Sequence, residues 1–185
     1  MLTVSIDFKS PASYLALRPT LNLAQETGVE IDWLPFSVRP FSVPEERPDE
    51  TVGDRHRRVR AIAQRDTHLH YAAVQGLQMC FSDAPAGSDH ALAAMAGIEG
   101  NPIPFIQTAF DAYWIEQADL NDESVVASLL ASLDMVVPDP QSAHAKLMTS
   151  RKKAEEMGVF ESPSYIIADQ LFLGREHLPW IRSLI

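Results

Sequence analysis

With 185 residues, 46% of them hydrophobic and 22% charged, the chain has the size and composition of one compact globular domain, or one domain with a large insertion. A formal net charge of -10 argues against general nucleic-acid binding, which requires a basic surface, but it leaves room for a local Arg cluster around one small anion. No apolar run approaches the roughly 20 residues that span a bilayer, and the amino terminus lacks a basic region followed by an apolar core. The expected setting is the cytoplasm, with no membrane or nucleic-acid partner.

Residues 2–8 read as a strand, with Leu2, Val4, Ile6 and Phe8 on one face. Ser10-Pro11 then opens a helix. Ser is favoured as an N-cap because its hydroxyl accepts from an orphan amide, and Pro is favoured at the first helical position. This helix spans residues 11–27, with Tyr14, Leu17, Leu21 and Ala24 as its core stripe, a local kink expected at Pro19 and Gly28 as its C-terminal cap. Residues 29–34 form a second strand, parallel to the first.

Pro35, Pro40, Pro44 and Pro48 mark a loop leaving the sheet. Helical patterns follow over residues 51–76, 89–98, 102–117, 121–134 and 141–157. The third of these presents Phe105, Ala109, Ala112 and Tyr113 as its apolar side, and the last exposes Arg151, Lys152 and Lys153. Cys80 lies in an apolar stretch and is expected to be a buried small hydrophobe. As the single cysteine, it excludes an internal disulfide and Cys-x-x-Cys chemistry. Near the end, residues 164–168 and 171–173 form a hairpin about an Asp169-Gln170 turn, and residues 175–185 form a terminal helix. The order β-α-β, helical block, β-β-α describes an α/β, thioredoxin-like sheet over residues 1–45 and 158–185. An all-helical insertion, residues 46–157, splits it.

The strand-to-helix junction at Ser10 has the character of an anion site, with amides pointing outward in the positive field of a helix start. In thioredoxin-type redox proteins a reactive cysteine occupies this junction, its thiolate favoured by the same field. Here the position holds a hydroxyl. The alternative is that Ser10 is an N-cap and nothing more.

Several stretches, taken together, carry a resemblance to a known family. They are D-F-K-S-P-A-S-Y, W-L-P-F, R-D-T-H-L-H-Y-A-A-V-Q-G, P-F-I-Q-T-A-F-D-A-Y-W, L-N-D-E-S-V and G-V-F-E-S-P-S-Y-I-I-A-D-Q-L-F-L-G-R-E. In this order they resemble the superfamily of periplasmic disulfide catalysts, most closely its 2-hydroxychromene-2-carboxylate isomerase and kappa-class glutathione transferase branch.

The resemblance implies a glutathione site. Ser10 falls on the serine that stabilises the glutathione thiolate. Ser162 falls on the residue whose backbone pairs with the cysteinyl part, and Pro163 on a cis-proline. Arg175 and Glu176 replace a Ser-Asp pair at the γ-glutamyl end. The Asn and Lys that the family places after Pro35 are absent; Arg39, Arg47, Arg55, Arg57 and Arg58 stand in that stretch. Among them Arg39, Arg55 and Arg58, with Phe36, are candidate contacts for a small anionic aromatic substrate, because Arg grips carboxylates bidentately. A solvated helix face is the other reading of the Arg cluster. His56, His68 and His70 lack the spacing of a metal site, since i and i+2 point to different helix faces.

The implied activity is glutathione-dependent isomerisation by reversible thiolate addition, carried out by a homodimer. A kappa-like transferase and a non-catalytic binding member are the alternatives. Disulfide exchange is not expected, since no cysteine lies at the junction.

Overall fold

The computed structural model describes residues 1–185. Strand β1 (Leu2–Ile6), helix α1 (Pro11–Thr27) and strand β2 (Ile31–Pro35) open the fold, and β3 (Ser164–Ile167) and β4 (Gln170–Leu173) complete a four-stranded sheet in the order β2-β1-β3-β4. The β1–β2 pair is parallel, Leu2 opposite Ile31, whereas β1–β3 and β3–β4 are antiparallel. Between β2 and β3 lie α2 (Val52–Val74), α3 (Asp89–Gly97), α4 (Ile103–Trp114), α5 (Glu123–Ser132) and α6 (Pro140–Glu156). A 3-10 turn (Arg175–His177) leads into the short α7 (Leu178–Arg182).

The expected face of Leu2, Val4, Ile6 and Phe8 enters one core cluster, and the alternate residues of β1 are buried as well. Ser5 points to the other face, donating to Glu161 O (3.2 Å) and accepting from Ser164 N (2.9 Å). The hairpin turn also sits one residue earlier than expected. Ala168 and Asp169 both take positive φ (49° and 58°), the left-handed pair that a two-residue hairpin requires, and Gln170 already belongs to β4. The terminal helix is shorter than expected. Pro179 has no N–H for the carbonyl four residues back, so the 3-10 turn comes first and α7 starts at Leu178.

Helix α1 keeps its expected ends: Ser10 caps the start, and Gly28 closes it at φ 72° with its N–H on Ala24 O. Its inward face differs. Ala16, Thr20 and Leu23 are buried, while Leu17, Leu21 and Ala24 are only partly covered. Thr20 fixes that rotation, sharing a 2.8 Å hydrogen bond with the buried Tyr165 hydroxyl. The helix runs through Pro19 as one element. Pro19 cannot bond Leu15 O, and Gln75 supplies the missing donor from the end of α2, its Nε2 at 3.1 Å. Arg18 returns the contact by donating to Gln75 O at 2.7 Å.

One cluster of 31 buried residues joins the sheet and α1 to α3, α4, α5 and α6, so the helical block shares its core with the sheet. Phe8 sits at the join, edge-on to Phe105 (5.9 Å) and Phe110 (5.1 Å). On α4, the expected Phe105, Ala109, Ala112 and Tyr113 are all buried.

Gln75→Ala leaves Leu15 O without its donor and loosens α2 from α1. A loss of about 1 kcal/mol is expected, read from urea unfolding midpoints.

Candidate active site

Three sequence candidates meet where β1 runs into α1. The Ser10 hydroxyl accepts from Ser13 N (3.2 Å), as an N-cap does, and donates to Ser162 O at 2.7 Å. The Ser162–Pro163 peptide is cis. Ser162 Oγ donates to Phe36 O (3.3 Å), and Pro163 O accepts from Gly174 N (3.0 Å). The Ser162 N–H takes part in none of the chain's backbone hydrogen bonds. Gly174, at φ 82°, sets Arg175 and Glu176 next to this group, and the Glu176 carboxylate folds over it so closely that a Cβ there would fall 2.3 Å from Oε2. The Arg175 guanidinium lies over the Tyr71 ring of α2, 4.3 Å from its centroid.

Lys9, beside Ser10, was not among the candidates. It is 95% buried, and its ammonium donates to Asp7 Oδ2 (2.6 Å), Ser37 Oγ (2.9 Å) and Ser88 Oγ (3.1 Å). Asp7 is fully buried and also accepts from Lys9 N, Val38 N and Ser88 Oγ. The Ser37 hydroxyl donates in turn to Asp89 Oδ1 (2.6 Å). Each of the three ammonium hydrogens thus finds an acceptor, which is the condition for burying such a pair. Lys9 reaches Ser37 from a different element, tying the segment after Pro35 to the junction. The Asp-x-Lys spacing was visible in sequence; the two serines that complete the network, 28 and 79 residues away, were not.

Lys9 also forms part of the wall of a cavity of about 40 Å3, with Phe41, Cys80, Phe81, Tyr113 and Trp114. Cys80 is exposed, which corrects the expectation of burial. Trp114 O holds its N–H and Gln117 Nε2 its carbonyl, both at 2.9 Å, fixing this loop against α4 with the thiol at the rim. Trp114 and Tyr113 pack as expected. Tyr113 donates to Ala86 O, and burial, with the Asp7 and Asp119 carboxylates adding to it, pushes its hydroxyl up to about 12.

The other candidates lie apart from this junction. Arg58 grips Glu50 through two nitrogens (3.1 and 2.8 Å) and reaches Glu46, while Arg55 also donates to Glu50. Those charges fasten the Pro-rich loop to α2, and their hydrogen bonds hold the Glu50 carboxyl below its ordinary range. Arg39 is exposed. Phe36 is a core residue, packed with Leu34, Ala154 and Val159, and contributes to the site only through its carbonyl.

His68, a metal-ligand candidate in sequence, lies instead among aromatic rings. Its ring stacks near Phe81 (centroids 6.4 Å) and meets Phe41 edge-on (5.9 Å). Nδ1 is buried without a partner. Burial, and then the Arg175 charge, lower its pKa.

Residues 1–185 match the family model described as a DSBA-like thioredoxin domain. The chain belongs to this DsbA-like thioredoxin family. It is 28% identical over 193 residues to a 2-hydroxychromene-2-carboxylate isomerase of Sphingobium xenophagum, covering 97% of this chain and 94% of that one. A solved 2-hydroxychromene-2-carboxylate isomerase superposes with a TM-score of 0.73 at 20% identity, over 98% of this chain and 92% of that one. The cytosolic disulfide reductase DsbM of Pseudomonas aeruginosa, solved with GSH, superposes at 0.60 with 18% identity, over 98% and 95%. No helix is long and apolar enough to cross a membrane.

Lys9→Met strands the buried Asp7 charge and is expected to cost about 3–5 kcal/mol in chemical denaturation. Adding Asp7→Asn to it recovers much of that loss. The His68 ring is expected to titrate, when followed by NMR, with a midpoint below its ordinary 6.5. Because the folded state resists protonating this ring, its contribution to stability is complete above the unfolded midpoint and is lost as pH falls through the folded one. His68→Phe should flatten that part of the stability profile.

Proposed function

We propose that the protein is a glutathione-dependent isomerase of the 2-hydroxychromene-2-carboxylate type, a cytoplasmic homodimer acting on a small anionic aromatic compound. The observation carrying this reading is the Ser10 hydroxyl at the N terminus of α1, hydrogen-bonded to the peptide that precedes cis Pro163. The extended likeness to an isomerase, over nearly the full length of both chains, supports it.

The residues present fit glutathione. Ser162 offers a backbone N–H that the chain itself leaves unused, for the cysteinyl part. Arg175 and Glu176 supply one cation and one carboxylate from consecutive positions, the charges that the carboxylate and ammonium of a γ-glutamyl group would call for. Bound glutathione would supply a thiolate that adds reversibly to a conjugated carbon, so that rotation about the former double bond can precede elimination.

The chain's own part begins with the Ser10 proton, which lies on Ser162 O. Turning the hydroxyl towards a sulfur gives up a neutral hydrogen bond worth about 0.5–1.5 kcal/mol net and gains a bond to a charged acceptor worth about 1.5–3. The exchange favours the thiolate, and the α1 N terminus adds to it. That lowers the thiol pKa and raises the fraction of nucleophile at neutral pH. Disulfide exchange is disfavoured by the sequence: with Cys80 alone, the chain has no dithiol to cycle.

Absorbance of a chromene carboxylate incubated with the protein, with and without glutathione, tests the reading. A glutathione-dependent spectral change without a lasting adduct is expected; a stable thioether product would identify a kappa-like transferase instead. No change, together with no thermal shift from glutathione, would sink both. Ser10→Ala should abolish thiolate absorbance and turnover, beyond the about 0.5–2 kcal/mol that loss of a cap costs in stability.

A further inference from the structure

Residues 36–51, between β2 and α2, carry no helix or strand, and they put Phe41 into the wall of the cavity beside Lys9. This strap is fastened near both ends. Val38 N donates to Asp7 Oδ2 (2.7 Å) on the β2 side, and Glu46 and Glu50 pair with Arg58 of α2 (3.4 and 2.8 Å). Between those points the backbone of residues 39–45 takes part in none of the chain's backbone hydrogen bonds, and Pro40 and Pro44 have no N–H to offer. The Phe41 ring is the aromatic anchor of this middle portion. It lies tilted on Phe81 (centroids 5.2 Å) and edge-on to His68 (5.9 Å), while Phe81 stands edge-on to Trp114 (5.3 Å). Phe41 is partly covered, whereas its neighbours Pro40 and Ser42 are exposed.

With Phe41 in place the cavity measures about 40 Å3. An apolar cavity of about 150 Å3 accepts benzene, so a ring cannot enter until Phe41 moves. Lys9 has no spare hydrogen for a guest, since all three go to Asp7, Ser37 and Ser88. The surfaces left are the rings of Phe81, Tyr113 and Trp114, and Phe41 already lies against the first of them as an aromatic guest would. His68 Nδ1, beside Phe41 and Phe81, is buried without a partner, a cost that the closed arrangement carries. We infer that Phe41 is the gate of this cavity: the strap moves between its fastened ends, Phe41 leaves Phe81, and the ring of an aromatic ligand takes its place. Lifting Phe41 returns one side of His68 to water, which keeps the closed state only modestly favoured. The inference rests on the aromatic substrate proposed above and adds the residue that controls its entry.

Stopped-flow mixing with salicylate, followed by its own fluorescence, tests the gate on wild type, Phe41→Leu and Phe41→Ala, with urea unfolding to show that all three are folded. In wild type the observed association rate should level off with rising salicylate at the rate of opening. Phe41→Ala should lose that plateau and bind roughly tenfold or more faster, because the competent fraction no longer depends on the latch. Phe41→Leu, which keeps a plug without the ring contacts, should fall between. Carbon-13 relaxation dispersion of the Phe41 ring in free wild type should report the same opening rate. A wild-type rate that rises without a plateau and matches Phe41→Ala overturns the gate. So does a wild type that binds no salicylate, even if Phe41→Ala binds it in the space the ring vacated. Calorimetry with glutathione keeps the two readings apart: a gated salicylate response without glutathione binding sinks the cofactor and leaves the gate standing.

Discussion

An ammonium and a carboxylate taken out of water together must satisfy all of each other's hydrogen-bonding capacity or be driven apart, and the Lys9–Asp7 pair sets that condition beside Ser10. Its partners come from three places in the chain. Ser37 and Val38 follow β2, Ser88 precedes α3, and Asp7 and Lys9 link β1 to α1. The junction is therefore held by the sheet and by the helical block at once, and Ser10 inherits a fixed backbone from its neighbour. Phe8 adds the apolar counterpart, edge-on to two rings of α4.

Charge is distributed with a clear division of labour in this acidic protein. The Arg-rich start of α2 balances the carboxylates of its own segment. Asp54 closes a capping box with Thr51, whose hydrogen bonds hold its carboxyl at about 2, with Arg57 adding to the effect. Surface pairs of this kind contribute little to stability, but they tie the Pro-rich loop to the helix and leave little free charge there to recruit an anion. Arg175 lies in no ion pair; its guanidinium sits against Tyr71, and its charge, after burial, opposes protonation of His68.

Local rules carried much of the fold. Ser10-Pro11 and Gly28 marked both ends of α1 because caps and φ constraints act within a few residues. The helices between β2 and β3 followed from periodicity. Errors arose where a neighbour decided. Thr20 faces inward because Tyr165 waits there, which no stripe of apolar residues reveals, and Ser5 is buried with its hydroxyl engaged by Glu161 O and Ser164 N. Cys80 is exposed because its loop is fastened to Trp114 and Gln117 by the backbone rather than packed by its side chain.

The sequence by itself determined the class of fold, the family and the identity of the hydroxyl at the helix start, since each rests on short-range spacing or on motifs read in order. Only the tertiary structure decided what surrounds that hydroxyl. It gave the proton of Ser10 to Ser162 O, set Lys9 in a network spanning 79 residues, and brought α2 over Arg175. The physical reason is that burial, pairing and orphaned polar groups depend on which distant segments meet, and no local pattern in the chain encodes that meeting.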